Sequence, residues 1–202
     1  MSSGPFIQQP AVADYFLLIE PRKDLREAIS DVKLQFAERF KASEAVKGKP
    51  HLTLVRYRQY TSFESRICQR LRSVAMQLAP ISIDLNGYGS FPTHTIYLNV
   101  SSKTGFQSTV KTIRTELQRQ LKLDKDNKPH FILEPHITIA RKLKPWQYEQ
   151  GWLAYQHQNF SGRFIASSMI LLRKSSDADP YKLIERFEFQ HSIHRASQAA
   201  LF

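Results

Sequence analysis

The chain has 202 residues, 42% of them hydrophobic, enough to bury one substantial core, which excludes a disordered chain as the default. An excess of 29 Lys and Arg over 18 Asp and Glu gives a net charge of +11 and suits a polyanionic partner such as RNA. A single cysteine, Cys68, excludes an intramolecular disulfide, and no apolar run is long enough for a membrane span or a secretory leader, so a soluble, cytoplasmic monomer is expected.

Residues 1–12 are polar, contain Pro5 and Pro10, and read as a loosely held arm. Tyr15 to Ile19 is a continuous apolar run consistent with a buried strand. Pro21 and Asp24 then open a helix whose stripe is Leu25, Ile29, Val32, Phe36 and Phe40, and Lys47 to Pro50 breaks it. Ser62 is placed to cap a second helix carrying Phe63, Ile67, Leu71, Val74 and Leu78, with Cys68 packed in its stripe. Ile81 to Leu85 alternates as a half-buried strand, and the stretch near Phe91 reads as a crossover between halves.

The second half retells the first. Thr95 to Val100 is a strand, Phe106, Val110, Ile113, Leu117 and Leu121 form a helical stripe, and Asp124 to His130 is a polar loop. Trp146 to Tyr155 reads as a shorter helix, Arg163 to Arg173 and Lys182 to Phe189 as strands, and residues 190–202 as a tail without a firm pattern.

The phrase common to both halves is Pro-His, then apolar, Thr, apolar: Pro50-His51-Leu52-Thr53-Leu54 and, 85 residues on, Pro135-His136-Ile137-Thr138-Ile139. Side chains alternate faces along a strand, so His51 and Thr53 share one face, His136 and Thr138 another, and the aliphatic residues turn away. The proline before each His disfavours helix and suits a strand entry. Two such strands brought together place two imidazoles and two hydroxyls around one cleft.

This pair of His-x-Thr strands resembles the 2H phosphoesterase superfamily, which includes 2′,5′ RNA ligase-like proteins and 2′,3′-cyclic phosphodiesterases. The resemblance spans most of the chain. It implies a single α+β domain over residues 1–202, bilobal, with two pseudo-symmetric lobes of mainly antiparallel sheet facing a central groove and helices outside. The alternation of strands and helices by itself would equally suit a parallel α/β sheet.

A cyclic phosphate needs a base for the attacking water and an acid for the departing ribose oxygen, and an imidazole titrating near ~6.5 can serve as either. His51 and His136 are the expected catalytic pair, with no metal or cofactor. Which is base and which acid stays open. The resemblance gives Thr53 and Thr138 the role of donating to non-bridging phosphate oxygens. Arg141 completes Pro-His-Ile-Thr-Ile-Ala-Arg, similar to a family pattern whose basic residue assists phosphate binding. Strict alternation points Arg141 away from His136, so either a bulge re-aims it or it is a surface residue. The first copy offers Val55, Arg56 and Tyr57, and no equivalent basic residue carries over there.

Tyr57 keeps parity with His51 and Thr53 and is a candidate stacking platform, as are Phe91 and Tyr97; core packing is the competing reading for all three. His94 and His130 fall in loops, and His191 and His194 lack the Cys or carboxylate neighbours of a metal site. No complete Gly-x-Gly-x-x-Gly and no Gly-Lys-Ser/Thr fingerprint occurs, since the lone Gly87-Tyr88-Gly89 is followed by Pro92 where a third glycine would stand, so ATP dependence is not expected. The expected activity is metal-independent hydrolysis of 2′,3′-cyclic phosphates on RNA ends or nucleotides, with reversible 2′,5′ RNA ligation as another side of the same chemistry. The alternative is a noncatalytic RNA-binding module; the presence of all four motif residues favours the enzyme.

Overall fold

The computed structural model describes residues 11–190, and the amino-terminal ten residues, with His191 and His194 of the tail, lie outside the described range. Val12, expected in the arm, instead opens the first strand. In chain order the elements are β1 (Val12–Ile19), α1 (Lys23–Arg39), β2 (Leu52–Tyr60), α2 (Glu64–Ala75), β3 (Ile81–Phe91), β4 (Thr95–Val100), α3 (Lys103–Leu121), β5 (His130–Phe131), β6 (His136–Arg141), α4 (Pro145–Tyr155), β7 (Ser161–Ala166), β8 (Ser168–Lys174) and β9 (Lys182–Glu188). The architecture is α+β, and every strand pairing is antiparallel. No helix among the described residues is long and apolar enough to cross a membrane.

The strands run β7-β3-β4-β6-β2-β1-β8-β9, with β5 beside β2. The two expected lobes are the halves of this one sheet, and each contributes its His-x-Thr strand to the junction. That junction is narrow: β2 and β6 share the single registered pair Leu52 and Ile137, whereas β1 and β2 pair from Val12–Tyr60 to Ile19–Leu52. Helices α1 and α4 pack on β6 and β4, while α2 and α3 pack on β9, β2 and β3. The helical stripes are core as their spacing predicts, with Ile29, Phe36, Phe106, Val110, Ile113 and Leu117 fully buried. Burial of such side chains contributes roughly 1.5–3 kcal/mol each.

Three local expectations are corrected. Ser62 lies in a 3-10 turn, Thr61–Phe63, and α2 begins after it with no side-chain cap. The strand expected from Arg163 to Arg173 is two, broken at Ser167, because β7 pairs with β3 in one half and β8 with β1 in the other. Phe91 is not in a crossover: it ends β3 at the tip of the β3–β4 hairpin, opposite Thr95.

Candidate active site

The aliphatic residues of the motif strands anchor the site. Leu52, Leu54, Ile137 and Ile139 are completely buried, so parity turns the half-buried His51, Thr53, His136 and Thr138 to the opposite face. The antiparallel register of Leu52 with Ile137 sets His51 across from Thr138 and Thr53 across from His136. The two histidines are then diagonal neighbours, for which Cβ atoms stand roughly 7–8 Å apart.

Both imidazoles are held alike. Nδ1 of His51 lies 2.8 Å from the Lys49 carbonyl oxygen, and Nδ1 of His136 lies 2.9 Å from that of Glu134. A carbonyl only accepts, so each ring carries its proton on Nδ1 and presents Nε2 outward. The segments supplying these carbonyls are themselves tied to helices. Lys33 of α1 donates to the Gly48 carbonyl at 2.5 Å, while on α3 Lys103 pairs with Glu134 at 2.6 Å and Gln107 donates to the Leu133 carbonyl at 3.0 Å.

Burial lowers the pKa of both histidines below the ordinary imidazole value, against the raising effect of the backbone hydrogen bonds. Smaller lowering contributions come from Lys33 and Arg141 at His51, and from Arg56 at His136. Lys33 is itself only 6% exposed, and burial followed by the charge of Arg141 brings its amine down to about 8.

A bulge in each motif strand decides the remaining side chains. On β2, Leu17 pairs with Val55 and Leu18 with Thr53, so Leu54 is an extra residue; on β6, Ile96 pairs with Ala140 and Tyr97 with Thr138, so Ile139 is extra. Parity inverts beyond each bulge. Val55 and Ala140 therefore join Leu54 and Ile139 in the core, and Arg141 returns to the face of His136 and Thr138. Of the two readings of Arg141, the bulge is the one observed.

The same inversion overturns the expectation for Tyr57. Its ring is 5% exposed and stacks on Tyr15 with centroids 5.0 Å apart, so it is core and not a stacking platform for substrate. Arg56 takes the groove face instead. The expectation that the first copy lacks an equivalent basic residue is also overturned: Arg56 follows His51 by five positions, as Arg141 follows His136. The signal is present in the sequence, since both copies place two adjacent apolar residues immediately before the Arg.

Phe91 and Tyr97 do gather at the site. Phe91 meets His136 edge-on with centroids 4.9 Å apart, Tyr97 lies 5.1 Å from the same ring, and the two aromatics are 4.6 Å from each other. Gly89 makes room for them: a Cβ there would stand 2.5 Å from the Tyr97 ring and 2.6 Å from Asn99 Oδ1. His94 is exposed near the hairpin tip, its Nδ1 3.1 Å from the Phe91 carbonyl oxygen, and His130 is exposed on β5 beside Arg56. Cys68 is buried and its thiol is pushed up to about 11, chiefly by burial, which suits packing and not nucleophilic attack.

Two imidazoles held through Nδ1, with two hydroxyls and two guanidiniums on one sheet face, have the chemistry that an acid–base site for an anionic substrate would need. The family model described as the 2′-5′ RNA ligase superfamily matches residues 21–178, and the chain belongs to that superfamily of 2H phosphoesterases. The fold is similar to that of TT0787 of Thermus thermophilus, at 20% identity and a TM-score of 0.65, over 88% of this chain and 98% of that one. It is similar also to E. coli LigT complexed with 3′-AMP, at 13% identity and a TM-score of 0.57, over 90% of this chain and 99% of LigT. Usb1 of Kluyveromyces marxianus matches at 10% identity and a TM-score of 0.51, over 89% of this chain and 98% of that one. No curated protein matches the chain significantly.

Proposed function

We propose that the protein is a metal-independent phosphodiesterase that hydrolyses 2′,3′-cyclic phosphates on RNA ends or nucleotides by two-histidine general acid–base catalysis. The observation that carries this reading is the matched pair of Nδ1 to carbonyl hydrogen bonds, which leaves two equivalent Nε2 atoms facing one groove. The reported complex of LigT with 3′-AMP, a nucleoside monophosphate, is in keeping with it.

The neutral imidazole takes a proton from water as the water oxygen bonds to phosphorus. The bond from phosphorus to one ribose oxygen breaks, and the cationic imidazole protonates that oxygen. Each transfer is typically worth about 10² to 10⁴ in rate. The histidines end with their protonation states exchanged, and proton exchange with solvent resets them. With the 5′-hydroxyl of a second RNA end attacking in place of water, the same step breaks the bond from phosphorus to the 3′-oxygen, leaves the phosphate on the 2′-oxygen and gives 2′,5′ ligation, and its reverse is cleavage of that linkage. Thr53 and Thr138 donate to the non-bridging oxygens, Arg56 and Arg141 neutralise the phosphate from its two sides, and Phe91 and Tyr97 position the His136 ring and the adjoining nucleoside.

The test is incubation with 2′,3′-cyclic nucleotides and cyclic-phosphate-ended oligonucleotides, with product analysis, in the presence and absence of a strong chelator. A monophosphate product formed equally in both supports the reading. Loss of product in the chelator, restored by a divalent ion, would overturn the two-histidine mechanism.

A further inference from the structure

Beside the histidine groove, along the β1–β2–β5 face, lies an open cavity of about 480 Å³ lined by Phe16, Arg56, Lys128, His130, Lys174 and Tyr181. It adjoins the catalytic groove through two contacts. The Phe16 ring lies 6.4 Å from the His51 ring, and the Arg56 guanidinium lies 5.8 Å from the Phe16 centroid. On β2, Arg56 is two pleats past Thr53 once the bulge is discounted, roughly 7 Å along the strand.

The lining is of two kinds. Phe16 and Tyr181 form a stacked pair, with centroids 4.6 Å apart and planes 12° from parallel, and Tyr181 retains 37% exposure. The rest is polar, with four Lys and Arg against three Asp. Arg58 is paired with Asp14 at 3.4 Å and Lys174 with Asp177 at 2.9 Å, and Asp126 also lines the wall, which leaves Arg56 and Lys128 without a carboxylate partner among the described residues. A cavity with an aromatic platform, an uncommitted cation in Lys128, and Arg56 at its border with a phosphate site has the chemistry of a nucleotide subsite: the exposed Tyr181 ring takes a base and Lys128 its phosphodiester.

We propose that this cavity holds the nucleotide next to the reacting one, so that the preferred substrate is the end of an RNA chain and not a free mononucleotide. This rests on the cyclic-phosphodiesterase reading of the histidine groove. The reacting phosphate lies between His51 and His136 with Arg56 beside it, the preceding phosphodiester reaches Lys128, and the preceding base stacks at Tyr181. The contacts are with base faces and backbone, so no strong preference for the identity of that base follows.

The experiment compares kcat/KM for a mononucleotide 2′,3′-cyclic phosphate and for a trinucleotide bearing the same terminal group, in wild type, Tyr181→Ala and Lys128→Glu. Loss of a base-stacking contact is worth about tenfold or more. Wild type should favour the trinucleotide by at least that factor through KM, and each variant should erase most of the preference while turning over the mononucleotide as wild type does. Equal kcat/KM for the two substrates in wild type overturns the subsite, as does a variant that slows both substrates alike. A second arm measures binding of a fluorescent trinucleotide 3′-phosphate by anisotropy, with thermal melts as the folding control. If neither cyclic substrate is hydrolysed, the phosphodiesterase reading fails by itself. The subsite is then supported by trinucleotide binding that weakens about tenfold in folded Tyr181→Ala and Lys128→Glu, and overturned by binding that both variants retain.

Discussion

The guanidinium of Arg56 acts on His136, the histidine of the other motif strand, just as Arg141, in β6, acts on His51. The cause is the antiparallel junction of β2 and β6. Moving five residues forward from His51 carries the chain toward the strand end where His136 lies, and the equivalent step from His136 leads back toward His51. Each half of the molecule thus supplies a histidine and a charge for the opposite histidine.

Arg56→Gln and Arg141→Gln are expected to lower kcat/KM on a cyclic phosphate by about tenfold or more each, the size of one charge-assisted hydrogen bond to phosphate. Neither residue is in the core, so thermal melts should move little. Steady-state kinetics on both variants decides this, and a loss confined to Arg141→Gln would show that the second guanidinium does not reach the phosphate.

The pH profile follows from the lowered pKa of both histidines. The reactive form has one imidazole neutral and one cationic, and it is most populated between the two apparent pKa values of the pair. Because burial depresses both, the kcat/KM bell should have its apex below about pH 6.5, the ordinary imidazole value. Removing a nearby positive charge raises the affected pKa, so the bells of Arg56→Gln and Arg141→Gln should shift to higher pH. An apex above pH 7.5 in wild type, or unshifted bells in both variants, would contradict the assignment.

How much of this could be read from the sequence depends on whether alternation holds. The shared face of the motif residues is legible because His51, Thr53, His136 and Thr138 all precede the bulges, where the two-residue period is intact. Tyr57 and Arg56 exchange their expected faces because Leu54 inserts an extra residue and inverts every side chain beyond it; Arg141 stays ambiguous for the same reason at Ile139. The helical stripes are legible because each buries one face. The partition of Arg163 to Arg173 into two strands is not, since the pattern stays strand-like while the hydrogen-bonding partner changes at Ser167. Nothing local marks Phe16 and Tyr181 as a pair, because their stacking depends on the placement of β1 beside β8.

Lys33 is a buried cation that destabilises the fold. Its folded pKa of about 8 lies below the ordinary lysine value of 10.5, so below pH 8 its charge costs up to about 3 kcal/mol relative to a neutral amine, less what solvent screening removes. That stability is recovered as pH rises from 8 to 10.5. Lys33→Met removes the cost but leaves the Gly48 carbonyl unpaired, at about 1–3 kcal/mol. The variant should therefore melt close to wild type at pH 7. Wild type should gain stability relative to it between pH 8 and 10. Turnover should fall about tenfold, because the segment that orients His51 loses its anchor and the site loses a charge. Parallel melts across pH, with one kinetic measurement, check all three; a stability difference independent of pH would remove the titration argument.

Gly89→Ala tests the aromatic support of His136. The new methyl group must displace both the Tyr97 ring and the Asn99 side chain, which donates to the Tyr88 carbonyl at 2.8 Å. Overpacking of this kind costs about 1–3 kcal/mol. Turnover should drop about tenfold as His136 shifts with Tyr97. The double variant Gly89→Ala/Tyr97→Leu, which removes the clashing ring and leaves only the Asn99 contact, should recover part of the melting temperature but not turnover. Recovery of neither would place the clash elsewhere.

His51 and His136 are expected to carry the chemistry and not to support the scaffold. The measurement is turnover of a cyclic-phosphate-ended oligonucleotide by wild type, His51→Ala and His136→Ala, with a thermal melt and a salt titration of RNA binding on each. Either substitution should lower turnover by about 10² or more. Melting should change little, and RNA binding should persist while weakening steeply with salt, because phosphate contacts by Lys and Arg supply it. A wild type that binds RNA but turns over no cyclic phosphate, with both variants indistinguishable from it, would contradict the account and leave a noncatalytic RNA-binding protein on the same fold.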